Sequence, residues 1–284
     1  MLVTFIRHGE STDNLRPVWA GWLDAPLSNH GMNQARALGE HWATTPITAV
    51  YCSDLKRAHT TAQQLVAPRN AATASELAPG VVPITLVVNP LLREQNFGVA
   101  ENKPWAAHKP TSAHETEEEV YYSIYTRHEK FPEGESLDDL AERAEKALDE
   151  TVWPHVQQIL DDKGPGLGKD NHIVIVSHGL AISELVAALL RRSPIPPPIG
   201  VSYRGLQNTA WTQLEITIEH RPPPNEAEKE VSSIHLVSAN NHPHLARVKR
   251  QAGGIGSAAH DEKQTSIRDF FGGATTTSQS SSSL

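Results

Sequence analysis

Leu2-Val3-Thr4-Phe5-Ile6-Arg7-His8-Gly9-Glu10 joins a run of strand-forming residues to an arginine, an imidazole and a glycine. The apolar part reads as a buried strand. It delivers Arg7 and His8 together at the strand's carboxyl end, where open α/β sheets form their ligand crevice. A turn there exposes a side chain while the sheet holds it still, which makes His8 a candidate nucleophile. The arrangement returns far along the chain: Ile173-Val174-Ile175-Val176 ends in Ser177-His178-Gly179 and passes into a helical pattern. Two strand-end histidines predict one shared site.

The intervening sequence supplies groups suited to a phosphate. Ser53-Asp54-Leu55-Lys56-Arg57-Ala58 follows the strand-like Val50-Tyr51-Cys52 and puts Arg57 in the first turn of a helix; Leu91-Leu92-Arg93-Glu94 follows Leu86-Val87-Val88. With these come Asp24-Ala25-Pro26-Leu27-Ser28, Gly31 and Gln34, then Phe97-Gly98, Gly134-Glu135-Ser136 and Val176-Ser177-His178-Gly179. In this order, over about the first 215 residues, the set resembles the histidine phosphatase superfamily, also called phosphoglycerate mutase-like. The resemblance implies a three-layer α/β/α sandwich with a mainly parallel sheet, and it implies no cofactor and no metal.

The chemistry explains why these residue types must converge. Phosphoryl transfer spreads charge over three equatorial oxygens, so catalysis is mostly positioning and stabilisation by preplaced donors. Arg7 and Arg57 keep their charge at any working pH and offer planar forks matched to phosphate oxygens. By resemblance, His8 attacks phosphorus to give a phosphohistidine, which requires a neutral ring; nearby positive charge disfavours the imidazolium form. His178 would steady the transferred group, and Glu94 would protonate the leaving oxygen and later accept a proton from water. Asn14, Gly21 and Gly179 would complete the pocket with side-chain and backbone donors.

Each residue also has a blander reading. A single Arg or Glu after a strand is usually a solvated surface group; the ordered set is what reverses that reading. The other thirteen histidines, among them His41, His59, His108, His114, His242 and His244, are expected on surfaces or turns, with His59 on a helix face. His242-Pro243-His244 lacks metal-site spacing.

Composition fits one enzyme domain with a tail: 284 residues, 38% hydrophobic, net charge −8 and a single cysteine, Cys52, expected as a packed thiol. One cysteine excludes an internal disulfide and fits a reducing compartment. The negative charge argues against general attraction to nucleic acid or acidic lipid. Leu2 to Ile6 is too short for a secretory leader, and Ile173 to Leu190 divides into a strand and a helix rather than a membrane span. A cytoplasmic location is expected.

Strands and helices alternate, which predicts a layered α/β fold. Strands are expected over 2–6, 49–52, 85–89, 173–177, 210–216 and 233–239. A helix over about 29–43 starts at the N-cap Ser28, with Gly31 and Gln34 in its first turns. Another starts at Ser136 with Asp139 in the reciprocal capping position, and buries Leu137, Leu140, Ala144, Leu148 and Val152. Ala67 to Pro83 and Gly164 to Gly168 read as surface excursions.

The domain is expected over 1–245, with an inserted cap at about 104–135. The cap carries Glu115, Glu117, Glu118 and Glu119, a solvated helix start, and Tyr121, Tyr122 and Tyr125, whose helical spacing favours packing over substrate contact. Cofactor-dependent mutases carry paired arginines in this insertion and typically a Tyr at the Phe97 position. Here Lys103, Lys109, Arg127 and Lys130 are scattered. Hydrolysis of small phosphomonoesters is therefore expected over mutase transfer. Arg93-Glu94, Phe97-Gly98 and Glu101-Asn102-Lys103 resemble the branch of fructose-2,6-bisphosphatase and its apoptosis-regulator relatives.

Residues 246–284 read as a disordered tail rich in Gly, Ala, Ser and Thr. Within it, 264–271 (Gln264-Thr265-Ser266-Ile267-Arg268-Asp269-Phe270-Phe271) resembles the PIP box that docks on PCNA, the replication clamp, with Gln264, Ile267, Phe270 and Phe271 at the matching positions. On one helical turn the three apolar side chains would form a plug. Arg247, Lys249 and Arg250 could add a nuclear address. A non-catalytic clamp-interacting protein is the reading from another class; the presence of Arg7, His8, Arg57, Glu94 and His178 together speaks against a retired site.

Overall fold

A computed structural model describes residues 1–72, 77, 81–104, 124, 126–162, 164–196, 203–221 and 228–261. Most of the expected cap, including His108, His114, Glu115, Glu117, Glu118, Glu119, Tyr121, Tyr122 and Tyr125, and the motif residues Gln264, Ile267, Phe270 and Phe271 lie outside the described residues.

Six strands form one sheet in the order β3-β2-β4-β1-β5-β6, with β1 Leu2–Arg7, β2 Ala49–Cys52, β3 Leu86–Val88, β4 His172–Ser177, β5 Trp211–His220 and β6 Lys229–Asn241. The first four are parallel neighbours, and β5 and β6 add an antiparallel edge. Both faces are covered. Val3 and Phe5 of β1 and Ile173 and Ile175 of β4 pack with α3 (Leu137–Thr151), α4 (Trp153–Asp161) and α5 (Gly179–Arg191). Ile6, Val174 and Val176 face the other way, against α1 (Asn29–Trp42) and α2 (Lys56–Ala71). Burial on both faces is why β1 and β4 read as continuous apolar runs instead of alternating ones.

Local chemistry sets the helix starts. Ser28 accepts from the Gly31 amide at 3.0 Å, and Ser136 and Asp139 exchange reciprocal bonds of 3.0 Å each. The expected helix stripe at Leu140, Ala144, Leu148 and Val152 is buried, with Leu137 half-buried. Ile173 to Leu190 divides into β4 and α5, and among the described residues no helix is long and apolar enough to cross a membrane. Cys52 is fully buried, and burial with Asp54 nearby pushes its thiol up to about 12.

Three features depart from the sequence reading. The excursion expected from Ala67 begins later, because α2 runs through Pro68 to Ala71. Tertiary contacts override the proline there: buried Arg69 donates to the carbonyls of Trp42 (2.8 Å) and Thr45 (2.6 Å), and Asn70 bonds both backbone groups of Ile84. His172 and His244, expected at surfaces or turns, are only 5% and 9% exposed. His172 sits between Thr4 Oγ1 and the Pro46 carbonyl, while His244 stacks on Trp211 with ring centroids 5.5 Å apart. The chain from 246 to 261, assigned by composition to the tail, lies against the domain. Ser28 bridges Ala259, and His260 N donates to the Leu27 carbonyl at 2.9 Å.

Candidate active site

The site begins with sheet register. Parallel pairing sets Ile6 opposite Val176 and Arg7 opposite Ser177, so the next residue on each strand is a histidine. The His8 and His178 rings lie with centroids 5.0 Å apart, and both are buried, at 3% and 0% exposure. Ser53 continues β2 on the same rim, its amide donating to the Val176 carbonyl at 3.1 Å. The crevice therefore lies at the carboxyl ends of adjacent parallel strands.

Hydrogen bonds assign the two rings opposite tautomers. His8 Nδ1 is 2.7 Å from the Gly9 carbonyl, which can only accept, so Nδ1 carries the proton and Nε2 keeps its lone pair. Arg57 Nε donates to His178 Nδ1 at 3.2 Å, which leaves His178 Nε2–H to donate to Ser53 Oγ at 2.9 Å. Burial, then the charges of Arg57 and Arg7, holds the His8 ring well below the ordinary imidazole value, against a smaller opposing pull from the Gly9 carbonyl. Burial, followed by Arg57, His8, Arg7 and Arg143, does the same to His178. Both rings are neutral at neutral pH.

The arginines are held by backbone carbonyls rather than by carboxylates. Arg57, in the first turn of α2, donates to Leu23 O and Gly21 O at 2.7 Å each as well as to His178. A guanidinium has five N–H donors, so one on each terminal nitrogen remains. Arg7 donates to Leu206 O at 2.6 Å, and its Nε is buried with no acceptor among the described residues. Burial lowers both guanidinium pKa values, and Glu94 opposes the shift in each. A guanidinium nevertheless stays charged.

Glu94 sits at the N-terminus of α5. Its Oε1 accepts from the amides of Gln95 and Ala181 at 3.0 Å each, and Oε2 accepts from Leu180 N at 3.2 Å. A Cβ built on Gly179 would lie 3.8 Å from Glu94 Oε2 and 3.9 Å from Arg7 Nε, so the carboxylate and the guanidinium flank this glycine. Asn14 lies at the exposed rim; its Oδ1 accepts from Ser11 N and Asn208 Nδ2 at 3.1 Å each, which leaves its amide N–H groups for a ligand. Gly21 contributes its carbonyl to Arg57, and its φ of +47° and contact with Glu101 explain the need for glycine.

Several supporting groups carry no obvious sequence signal. Arg143 clamps the Glu94 loop by donating to the carbonyls of Leu91, Arg93 and Glu94 while pairing with Glu135 at 2.7 Å. Trp22 Nε1 donates to the Glu94 carbonyl at 2.7 Å, with Arg93 over its ring. Thr209 occupies a left-handed conformation, φ 59°, in which its amide reaches the Arg7 and His8 carbonyls. That backbone state is rare for a β-branched residue.

Among the described residues no group of His, Cys, Asp and Glu has metal-holding geometry. A cavity of about 600 Å³ lined by Gln158, Asp162, Lys169 and Asn171 opens at the amino end of β4, away from the histidines.

Comparison with known proteins places this geometry. Residues 3–222 match the model of the histidine phosphatase superfamily (branch 1). A relative described as a probable phosphoglycerate mutase GpmB from Yersinia pestis is 30% identical over 191 residues, covering 66% of this chain and 74% of the relative. Among solved structures, a mycobacterial glucosyl-3-phosphoglycerate phosphatase superposes with a TM-score of 0.57 at 23% identity, covering 84% of this chain and 98% of that one. A phosphoserine phosphatase mutant from Entamoeba histolytica gives 0.56 at 20% identity, covering 86% and 98%. At such identities the structural likeness speaks for the fold, and the family match carries the assignment: the chain belongs to the histidine phosphatase superfamily.

Proposed function

We propose that the protein hydrolyses small phosphomonoesters through a phosphohistidine on His8. The observation that carries this reading is the tautomer: Nδ1–H is fixed on the Gly9 carbonyl, so Nε2 presents a lone pair in the field of buried Arg57 and half-buried Arg7. In the first step Nε2 bonds phosphorus, the P–O bond to the ester oxygen breaks, and protonated Glu94 gives that oxygen its proton. In the second, water attacks phosphorus, Glu94 takes its proton, and the N–P bond returns its electron pair to His8. Arg7 and Arg57 stabilise charge on the equatorial oxygens. His178 holds Arg57 by its Nδ1 and is positioned to line the phosphoryl pocket. Asn14 and Gly179 complete the pocket.

Hydrolysis over mutase transfer is supported by the pairing of two of the scattered basic residues, Arg127 and Lys130. Arg127 is paired with Glu184 at 2.9 Å and Asp138 at 3.0 Å, and Lys130 with Asp139 at 2.8 Å. They are poorly placed to retain a second phosphate. Phe97 lies buried against Trp19 and near Phe131, with no hydroxyl to offer. The relative described as a probable mutase keeps the alternative open. Phosphate release from a panel of sugar phosphates, with His8→Ala as control, tests the proposal; faster interconversion of phosphoglycerates than phosphate release overturns it.

The finer placement is in the branch resembling fructose-2,6-bisphosphatase and the apoptosis regulators, with sugar phosphates as substrates. It is supported by the sequence pattern at Arg93-Glu94, Phe97-Gly98 and Glu101-Asn102-Lys103. Docking of Gln264, Ile267, Phe270 and Phe271 on PCNA, with a nuclear as well as a cytoplasmic pool, rests on sequence alone. Calorimetry of a tail peptide against the clamp tests it; no heat of binding ends it.

A further inference from the structure

The chain from 248 to 260 crosses back over the amino-terminal loop as a strap. Asn29 N donates to Ala258 O and Asn29 Nδ2 to Ile255 O, each at 2.9 Å, and His260 N donates to Leu27 O at 2.9 Å. From this strap Arg250 reaches Glu10, two residues after His8: Nη1 donates to Oε1 at 2.9 Å and Nη2 to Oε2. The Glu10 side chain is 11% exposed and also accepts from Ser28 Oγ at 2.7 Å. A carboxylate buried to this degree needs its cation. Gly256 lies against the Arg250 stem, where a Cβ would come within 2.6 Å of Arg250 Cγ.

The peptide unit joining Gly9 to Glu10 has its carbonyl on His8 Nδ1 and its N–H on Gln34 Oε1 at 2.9 Å. Tilting that plane weakens both bonds at once. The plane is steadied on one side by Gln34 and on the other by the Glu10 side chain, whose cation comes from the strap. We propose that Arg250 is a positioning residue for His8, acting through Glu10 to hold the Gly9 carbonyl that fixes the ring's tautomer. The proposal rests on the catalytic reading above for its kinetic consequence but not for its structural one.

Full-length chains carrying Arg250→Ala, Arg250→Lys or Glu10→Gln, and chains ending after Arg247 or after Asp261, separate the possibilities. Arg250→Ala is expected to lower kcat by about 5–20-fold with KM within about twofold. Arg250→Lys should recover part of the loss. Combining Glu10→Gln with Arg250→Ala should cost no more than the larger single effect, because both act through one contact. Ending the chain after Arg247 should mimic Arg250→Ala, whereas ending it after Asp261 should leave kcat unchanged.

The His8 ring nitrogens, assigned in 15N spectra by comparison with His8→Gln, provide a readout that needs no substrate. They should report Nδ1–H in the intact protein and a mixture of tautomers in Arg250→Ala. An Arg250→Ala chain that melts earlier yet keeps the His8 nitrogen shifts and kcat overturns the proposal and leaves the strap a structural brace. If Arg250→Ala does not fold, Arg250→Lys and Glu10→Gln carry the same ring measurement. Wild-type protein that releases no phosphate refutes the hydrolase reading, while the nitrogen shifts still decide the role of Arg250.

Discussion

The ends of β1 and β4 present the same sequence device, an apolar run closing on His-Gly, yet the two imidazoles are prepared for different work. His8 donates its Nδ1–H to a backbone carbonyl and, among the described residues, keeps Nε2 free of hydrogen bonds; His178 has both nitrogens engaged, by Arg57 and Ser53. Burial and positive neighbours lower both. The difference therefore lies in partners rather than in environment, and a motif alone does not say which histidine is the nucleophile.

Substitution at the two positions should separate them most. His8→Ala is expected to lose about 10⁴-fold or more in kcat and to form no phosphoenzyme, as when a nucleophile is removed. His178→Ala should lose about 10²–10³-fold, the scale expected when Arg57 loses the ring that positions it, and still trap label from a phosphorylated substrate. A labelled His8→Ala chain would reverse the assignment. A milder break is Ser53→Ala, which removes the acceptor of His178 Nε2–H and should lower kcat by about tenfold through misplacement of Arg57. If Ser53→Ala matches wild type in single-turnover assays, the Ser53 contact does not matter for chemistry.

Acid should expose the shared burial. Because burial depresses the His8 ring, kcat/KM is expected to stay level as pH falls through 6.5 and to drop only well below it; a midpoint at 6.5 would mean that His8 is solvated. Stability should respond earlier. His172, with its pKa lowered to about 4 by burial, is neutral in the folded protein where the unfolded chain already binds a proton. Between about 6.5 and 4 the unfolded state thus holds more protons, and stability falls as pH falls, by at most on the order of 3 kcal/mol for this group. Urea titrations across this window should show the decline, and His172→Gln should remove its share, leaving that of His8, His178 and His244, which burial also depresses.

Much of this was legible in the residues themselves. β1 and β4 are buried on both faces, so their apolar runs announce strands, and each run stops where the chemistry begins. Ser28 and Ser136 mark helix starts because their oxygens accept from amides three residues on, a contact local in sequence. The tautomers were not legible: that of His8 depends on how the Gly9 carbonyl is turned, and that of His178 on Ser53 and Arg57 meeting across the fold. Nor was the course of α2 past Pro68, which tertiary bonds from Arg69 and Asn70 impose against local preference. Composition also misjudged the stretch from 246 to 261. Its glycines and alanines bury little, but backbone bonds and one ion pair fasten it.

The parallel pairing of β1 with β4 carries a consequence for biosynthesis. The His8 carbonyl bonds Asn208, 200 positions later, and Glu10 meets Arg250 240 positions later. At about 5–20 residues per second, His8 waits on the order of ten seconds or more for these neighbours to be translated. Until then β1 lacks both of its sheet neighbours, β4 and β5, and shows water an apolar surface.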